Sequence, residues 1–165
     1  KCTTPHLTDD DIKRLFVSAV NQLIGQKDTI ITALTASLDT AFDLTVFKAE
    51  QAELESEMMV VSDLMQKCIY ENAHVALDQV EYKKRYNGLT ERFNAAKARY
   101  ESMDETIRNK QSRRATIETF LRTLAKADLI DKFDTVLWCG LVDFVTVFSK
   151  NDVRFTFKNG QEIRV

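Results

Sequence analysis

Apolar residues recur in a regular three-four rhythm through the middle of the chain. The rhythm holds from Leu44 to Cys68 and again from Tyr82 to Ile107 without a slip. Alternating steps of three and four are the a/d spacing of a coiled coil. We call these positions the seam. Its members are Leu44, Phe47, Gln51, Leu54, Met58, Val61, Met65 and Cys68 on the first arm, and Tyr82, Tyr86, Leu89, Phe93, Ala96, Tyr100, Met103 and Ile107 on the second.

The two arms of the seam match each other in reverse order. Each member of one arm has a counterpart on the other such that the two residue numbers sum to 150 or 151, as for Leu54 with Ala96. An antiparallel helical hairpin requires a constant sum, because each step along one arm is a step back along the other. We therefore predict an antiparallel coiled-coil arm over residues 44–107 with its tip at 73–77. Each arm would be roughly 40 Å long, so we expect it to project from a smaller base.

The flanking segments, 1–43 and 108–165, predict that base. Thr8 is a candidate N-cap for a first helix that Gly25 can end, and Asp28 is a candidate cap for a second. We expect a break near 39–43, although the pattern also allows a continuous helix into the arm.

The last forty residues change pattern and predict strands. Asp131 or Asp134 can cap a short helix. Three β-branched or alternating segments then follow, and Asn159-Gly160 between the last two is a strong hairpin-turn dipeptide. These strands are 142–148, 153–157 and 161–165. The predicted fold is mainly α with a small antiparallel β meander at the C-terminus, carrying a long coiled-coil hairpin on a small α+β base.

Composition agrees with a mostly helical chain and limits the function classes only weakly. The 165 residues are 44% hydrophobic and include 4 Gly and 1 Pro, with a net charge of -2. A charge so near zero gives no general argument for nucleic-acid binding, although a local basic face remains compatible with it. We find no apolar run long enough to span a bilayer, and we expect no membrane partner. The start at Lys1 without Met suggests an excised fragment.

The cysteines and histidines do not form a recognisable site. Cys2, Cys68 and Cys139 contain no CxxC pair, and we expect the last two to be buried free thiols in a reducing compartment. His6 and His74 lie far apart in the sequence. We also find no P-loop, no HExxH motif, and no serine or cysteine with a plausible base. The sequence therefore predicts a non-enzymatic chain without a catalytic site.

Two surfaces are candidates for binding. Arg108, Lys110, Arg113 and Arg114 form a basic cluster that is either a solvated helix face or a patch contacting DNA phosphates. His74, Val75 and Leu77 lie at the predicted tip. Val75 and Leu77 either close the end of the hairpin or form an apolar surface that docks on another arm, and His74 reads as an exposed loop residue rather than a metal ligand.

Several stretches together resemble the large serine recombinases, the transposon and phage integrases with a resolvase-type catalytic domain. The first eight residues resemble the end of the zinc-ribbon module in that family. Further matches lie around the tip and in the closing strands, and in order they cover essentially the whole chain. These matches are Glu71-Asn72-Ala73, Asp78-Gln79, Glu81-Tyr82, Lys84-Arg85-Tyr86, Val142-Asp143, Val145-Thr146-Val147 and Phe155 through Gly160.

The resemblance implies a specific role. In that family the zinc-ribbon domain binds a DNA attachment site. A coiled coil inserted in it makes contacts between subunits that control synapsis and the direction of integration or excision, sometimes with a directionality factor. Cys2 corresponds to the last zinc ligand, so we expect zinc in the full-length protein and none on this fragment, where one thiolate is too few. The expected setting is the cytoplasm of a bacterium carrying a mobile element.

Two other function classes stay open at this point. The chain could be a generic coiled-coil spacer or adaptor for protein–protein interaction with no DNA role. It could also be an enzyme, which the lack of a recognisable site disfavours. The oligomeric state, the DNA sequence and the arm's angle to the base do not follow from the sequence.

Overall fold

The computed structural model describes residues 7–165. Within that range the chain forms five α-helices followed by three β-strands. They are α1 (Asp9–Gly25), α2 (Lys27–Ala41), α3 (Thr45–His74), α4 (Gln79–Lys126), α5 (Thr135–Leu141), β1 (Val142–Ser149), β2 (Asp152–Phe157) and β3 (Glu162–Arg164). The mainly α fold with a small antiparallel sheet at the C-terminus is confirmed.

The chain divides into two compact units, which we describe separately. The base unit comprises Lys1–Ala41 and Ser112–Val165, and the arm unit comprises Phe42–Gln111. Helix α4 is continuous and contributes residues to both units.

The arm unit is an antiparallel pair made by α3 and the first part of α4. None of the sixteen seam residues is exposed: five are buried and the others are half-buried. The buried five are Val61, Cys68, Ala96, Met103 and Ile107. The rhythm seen in the sequence therefore marks the face along which the two helices pack.

Ion pairs beside the seam show the direction of the pairing. The Arg92 Nε donates to Glu57 Oε1 at 2.7 Å, and the Arg99 Nε donates to Glu50 Oε1 at 2.6 Å. A step of seven residues forward on α4 is thus a step of seven residues back on α3. The strong hydrogen bond from Arg99 to Glu50 also raises the pKa of the Arg99 guanidinium.

The Asp43 side chain is hydrogen-bonded to the first residue of α3. Helix α2 ends at Ala41 and α3 begins at Thr45, so the chain breaks close to the predicted 39–43. Asp43 accepts hydrogen bonds from both the backbone N–H and the hydroxyl of Thr45, at 2.9 and 2.7 Å, and these bonds lower the Asp43 pKa. The bonds fold the connection back onto the first turn of α3, where N–H groups lack helical partners.

The base unit has an apolar core drawn from both ends of the chain. Helix α1, the end of α4, α5 and the inner face of the sheet all contribute. An aromatic cluster occupies part of it, where the Phe16 ring lies 5.2 Å from Trp138 and 5.4 Å from Phe133 between ring centroids. Phe16, Phe120, Phe155 and Phe157 are fully buried, so this core is where most apolar area leaves water.

Polar contacts from α1 and from the start of α2 hold the loop after α4. The Asn21 side-chain amide donates to the Ile130 carbonyl at 2.8 Å, and its oxygen accepts from the Ile130 N–H at 2.9 Å. The Lys27 ammonium donates to the Ala127 carbonyl at 2.9 Å. These bonds satisfy backbone groups of Ala127 and Ile130, which follow the last residue of α4 and have no helical partners.

The predicted helix starts are mostly right, with one correction. Thr8 caps α1 in a reciprocal capping box with Asp11, and these bonds lower the Asp11 pKa. Asp134 caps α5 by accepting from the Leu137 N–H at 2.9 Å, which decides between the two candidates. Asp28 is not a cap, because α2 begins at Lys27 and places Asp28 in the first turn. There its charge complements the positive end of the helix dipole.

The sheet has the order β1-β2-β3, with both pairs antiparallel. Burial alternates along β2, so Val153, Phe155 and Phe157 face the core. Gly160 closes the last hairpin with a φ of +86°, a conformation that glycine adopts without strain. The predicted Asn159-Gly160 turn is confirmed.

Half-burial of the central seam leucines should limit the cost of truncating them. Leu54→Ala and Leu89→Ala are each expected to lower the free energy of unfolding by about 1–3 kcal/mol, in the lower part of the range for buried leucines. Met59→Ala is the control, because the Met59 side chain lies on the same helix as Leu54 and is 61% exposed. It should change the free energy of unfolding by less than about 0.5 kcal/mol. Urea denaturation measures all three. Changes below about 0.5 kcal/mol at both leucines would contradict the pairing.

Two glycines should respond oppositely to alanine. Gly88 lies within α4 and a Cβ there would meet nothing within 4 Å, so Gly88→Ala should raise the free energy of unfolding by about 1 kcal/mol through helix propensity. At Gly140 a Cβ would lie 2.8 Å from the Thr123 Cγ2. Gly140→Ala should therefore lower stability, because α5 and α4 approach closely there. Thermal denaturation of both variants tests the contrast, and equal signs would refute it.

Candidate contact surfaces

The tip of the arm unit is a short turn with exposed apolar side chains. Helix α3 ends at His74 and α4 begins at Gln79, close to the predicted tip of 73–77. Val75 is 57% exposed and Leu77 is 36% exposed. The sequence left open whether these residues close the hairpin end; their exposure shows that much of their surface remains available for contact.

Hydrogen bonds give the tip a defined shape. The Leu77 N–H donates to the Val75 carbonyl at 2.8 Å, which closes the turn. The Asp78 carboxylate accepts from the Val80 N–H at 2.7 Å and caps α4. A tip held by such bonds loses little conformational entropy when it binds, which favours a contact surface.

Two bonds across the hairpin anchor the helix ends that carry the turn. The Gln79 amide donates to the Asn72 side-chain oxygen at 2.9 Å, and Arg85 donates to Glu71 at 2.8 Å. His74 stacks on the Tyr70 ring with 4.0 Å between centroids, and its Nδ1 lies 2.8 Å from the Tyr70 carbonyl oxygen. His74 thus has a structural role on α3 while remaining exposed.

The exposed apolar surface at the tip is larger than the sequence predicted. Ile69 and Tyr70 on the last turns of α3, and Val80 on the first turn of α4, are 47%, 65% and 78% exposed. The signal that could have found them is simple: they are large apolar residues that do not occupy seam positions. We call Ile69, Tyr70, His74, Val75, Leu77 and Val80 the tip surface.

The predicted basic cluster is divided between the two units. In the arm unit, Arg108 Nη2 lies 2.6 Å from Asp104 Oδ2, and the Lys110 ammonium lies 5.2 Å from the centroid of the Phe47 ring. An ion pair and a cation–π contact each offset part of the positive charge. These two residues therefore contribute less free charge than the sequence suggests.

In the base unit the other two members differ from each other. Arg114 donates to Glu118 at 2.9 Å and to Asp39 at 2.8 Å, and these bonds raise the pKa of its guanidinium. Arg113 is exposed and makes no ion pair within residues 7–165. Arg113 is thus the member of the cluster best placed to meet a phosphate.

The cysteine predictions have mixed outcomes. Cys68 is buried at the seam, as predicted, but Cys139 is exposed, because it lies on the outward side of the short helix α5. Cys2 lies outside the described residues. From Leu7 onward, no three His, Cys, Asp or Glu side chains are grouped so that they could share a metal ion.

A groove in the base unit lies between α4 and α5. It is lined by Thr119, Arg122, Thr123, Lys126, Asp134, Val136 and Leu137. The lining is mixed in character, with two basic side chains, one carboxylate, two threonines and two apolar residues. The Asp134 carboxylate is already used as the cap of α5.

One prediction about membranes needs correction. The stretch Lys27–His74, which comprises α2 and α3, contains a run of 18 residues that is predominantly apolar and carries little charge. By length and composition it meets the requirement for a membrane span, contrary to the expectation from the sequence that no such run is present. A single segment of this kind is weak evidence, because core helices of soluble proteins meet the same criterion.

No family model, curated protein or solved structure matches this chain. A functional assignment therefore depends on the sequence resemblance to the serine recombinases and on the geometry of the exposed surfaces.

Proposed function

We propose that this chain is the regulatory and DNA-binding C-terminal part of a site-specific serine recombinase. Its coiled-coil arm would contact other recombinase subunits and control the synapsis and direction of DNA integration or excision. The observation that carries the proposal is the tip surface, which is apolar, exposed and held in shape by hydrogen bonds at the end of an antiparallel hairpin. A spacer has no need for apolar side chains at its end.

The base unit would contribute to binding the DNA attachment site. Arg113, exposed and without an ion pair among the described residues, is the best-supported phosphate contact. Arg114, in the same unit, would contact phosphate only after exchanging Glu118 and Asp39 for phosphate oxygens. In the arm unit, Arg108 and Lys110 would do so only after leaving Asp104 and the Phe47 ring. Such an exchange is electrostatically feasible, because phosphate contacts release counterions from DNA.

Zinc belongs to the proposal for the full-length protein rather than to the residues described. Cys2 would supply one thiolate, and a tetrahedral zinc site needs three more ligands from elsewhere. The catalytic serine would also lie in another part of the recombinase. A directionality factor is the remaining proposed partner, and the arm is the element it would act on.

Charged substitutions at the tip separate this proposal from a passive spacer. Val75→Glu with Leu77→Glu should abolish subunit contact through the tip, because like charges meet where apolar side chains packed. In the longer recombinase, the ratio of integration to excision should change by about tenfold or more, since removing an interaction of about 1.4 kcal/mol has that effect.

The control for the tip experiment is Val46→Glu. Val46 is 71% exposed on the first turn of α3, far along the chain from the tip. It should leave the recombination ratio unchanged, and circular dichroism should show intact helices in both variants. A tip variant that recombines like the wild type would support the spacer function instead.

DNA binding can be tested with one charge reversal. Arg113→Glu in the longer recombinase should weaken binding to the attachment site and reduce the slope of log K against log salt by about 0.9 for each phosphate that the variant no longer neutralises. Lys83→Glu makes the same charge change at an exposed position of the arm unit and should leave the slope unchanged. Fluorescence anisotropy at several salt concentrations measures both, and identical isotherms for Arg113→Glu and wild type would remove the proposed role.

A further inference from the structure

Strand β1 forms an edge of the sheet in the base unit. Its eight residues pair only with β2, so one side of its backbone has no strand partner among residues 7–165. An unpaired strand edge is a template for another strand, and natural proteins usually block it with proline, lysine or short length. Proline and lysine are absent from Val142–Ser149, and Asp143 is the one charged residue of this eight-residue strand.

Two phenylalanines mark the outer face of this edge strand. Phe144 is 54% exposed and Phe148 is 57% exposed. The Arg154 guanidinium lies 4.5 Å from the centroid of the Phe148 ring, on the same face. The neighbouring Val145 and Val147 pair with the buried Phe155 and Val153, and so face the core.

Five residues of β1 read the same in both directions. Residues 144 to 148 are Phe-Val-Thr-Val-Phe, a palindrome centred on Thr146. An antiparallel copy paired about that centre would place each phenylalanine opposite the other, each valine opposite valine, and threonine opposite threonine. Directly opposed aromatic and threonine pairs of this kind stabilise antiparallel strands.

Pairing with β2 is regular over most of that palindrome. The register from Phe144 to Val147 is regular, and irregularities occur between Val142 and Phe144 and between Val147 and Ser149. The first irregularity lies outside the palindrome, and the second includes its last residue, Phe148.

Charges at the two ends of the strand are also complementary. Asp143 lies near the start of β1, and Lys150 directly follows its end. Pairing about Thr146 would place Asp143 opposite Ser149 of the other copy, one residue away from Lys150. A symmetric contact of this type is self-complementary, as a twofold interface must be.

We propose that the edge of β1 binds β1 of a second copy of this chain, antiparallel about Thr146, to form a continuous six-stranded sheet. This contact is separate from the tip surface and does not depend on the recombinase assignment. A nucleic acid stacking on the two phenylalanines is less well supported, because the nearby arginines are neutralised. Arg154 pairs with Asp152 and Glu162, and Arg164 pairs with Asp152.

Thiol crosslinking tests the register. Thr146→Cys, in the full chain with Cys2→Ser and Cys139→Ser, places two thiols opposite each other across the twofold axis. A short dithiol crosslinker should join them into covalent dimers. Phe144→Cys is the matched control, because its two copies would lie roughly 13 Å apart along the strands and the same reagent cannot span them. Phe144→Cys mixed with Phe148→Cys should crosslink again.

Charge substitutions test the strength of the association with two variants that differ only at position 144. Phe144→Glu with Phe148→Glu sets like charges opposite each other and should weaken dimerisation roughly tenfold or more. Phe144→Lys with Phe148→Glu sets opposite charges at the same positions and should retain dimerisation within roughly tenfold of wild type. Both variants contain Phe148→Glu, so they change the contact between residue 148 and Arg154 in the same way. Sedimentation equilibrium of the full chain measures the association.

Association through the tip surface must be removed so that it is not mistaken for the β1 contact. The same measurements are made with Val75→Glu and Leu77→Glu present, and the β1 contact should persist there. Dimers that vanish with the tip variant, equal crosslinking of Thr146→Cys and Phe144→Cys, or equal association of the two charge variants would each overturn the proposal. It would also be overturned if the chain stayed monomeric and bound a single-stranded oligonucleotide in a way that the paired glutamates abolished.

Discussion

The arm unit depends on one constraint, the packing of α3 against α4 along a single seam. The sixteen seam positions repeat in steps of three and four, and none of them is exposed. Because two helices use one face each, the other faces remain in water. Carboxylates and guanidinium groups beside the seam, such as Glu57 with Arg92, then pair across it. Such exposed pairs contribute little stability individually, but they favour one direction and register.

The same constraint explains why the exposed apolar side chains at the tip indicate a contact surface. Once the seam residues are packed, large apolar side chains on the other faces of the hairpin can remain exposed. Ile69, Tyr70 and Val80 are in that position at the tip. Their exposure costs solubility unless another surface covers them, which is the physical basis for a contact role.

The base unit is built differently, because its core contains residues from both ends of the chain. Phe16 from α1 contacts Trp138 from α5 and approaches Phe155 from β2. Burial of these rings uses the inner face of the sheet only. The outer face and the edge of β1 are left with Phe144 and Phe148, so here too exposed apolar residues are those that the unit's own core does not use.

The sequence by itself determined the features that depend on near neighbours or on periodicity. The seam follows from a repeat that only one helix face can satisfy. Thr8, Asp78 and Asp134 cap helices because each bonds an N–H only two or three residues away, and the turn at Gly160 needs only its own φ.

Only the tertiary structure decided which distant groups meet. Arg114 reads as one member of a basic run until Asp39 is found beside it, and Asn21 gives no hint that it binds the Ile130 backbone. Cys139 is apolar by type, yet its place on α5 leaves it exposed. These contacts join residues far apart in the chain, so their positions depend on how whole elements pack, and no local pattern encodes them.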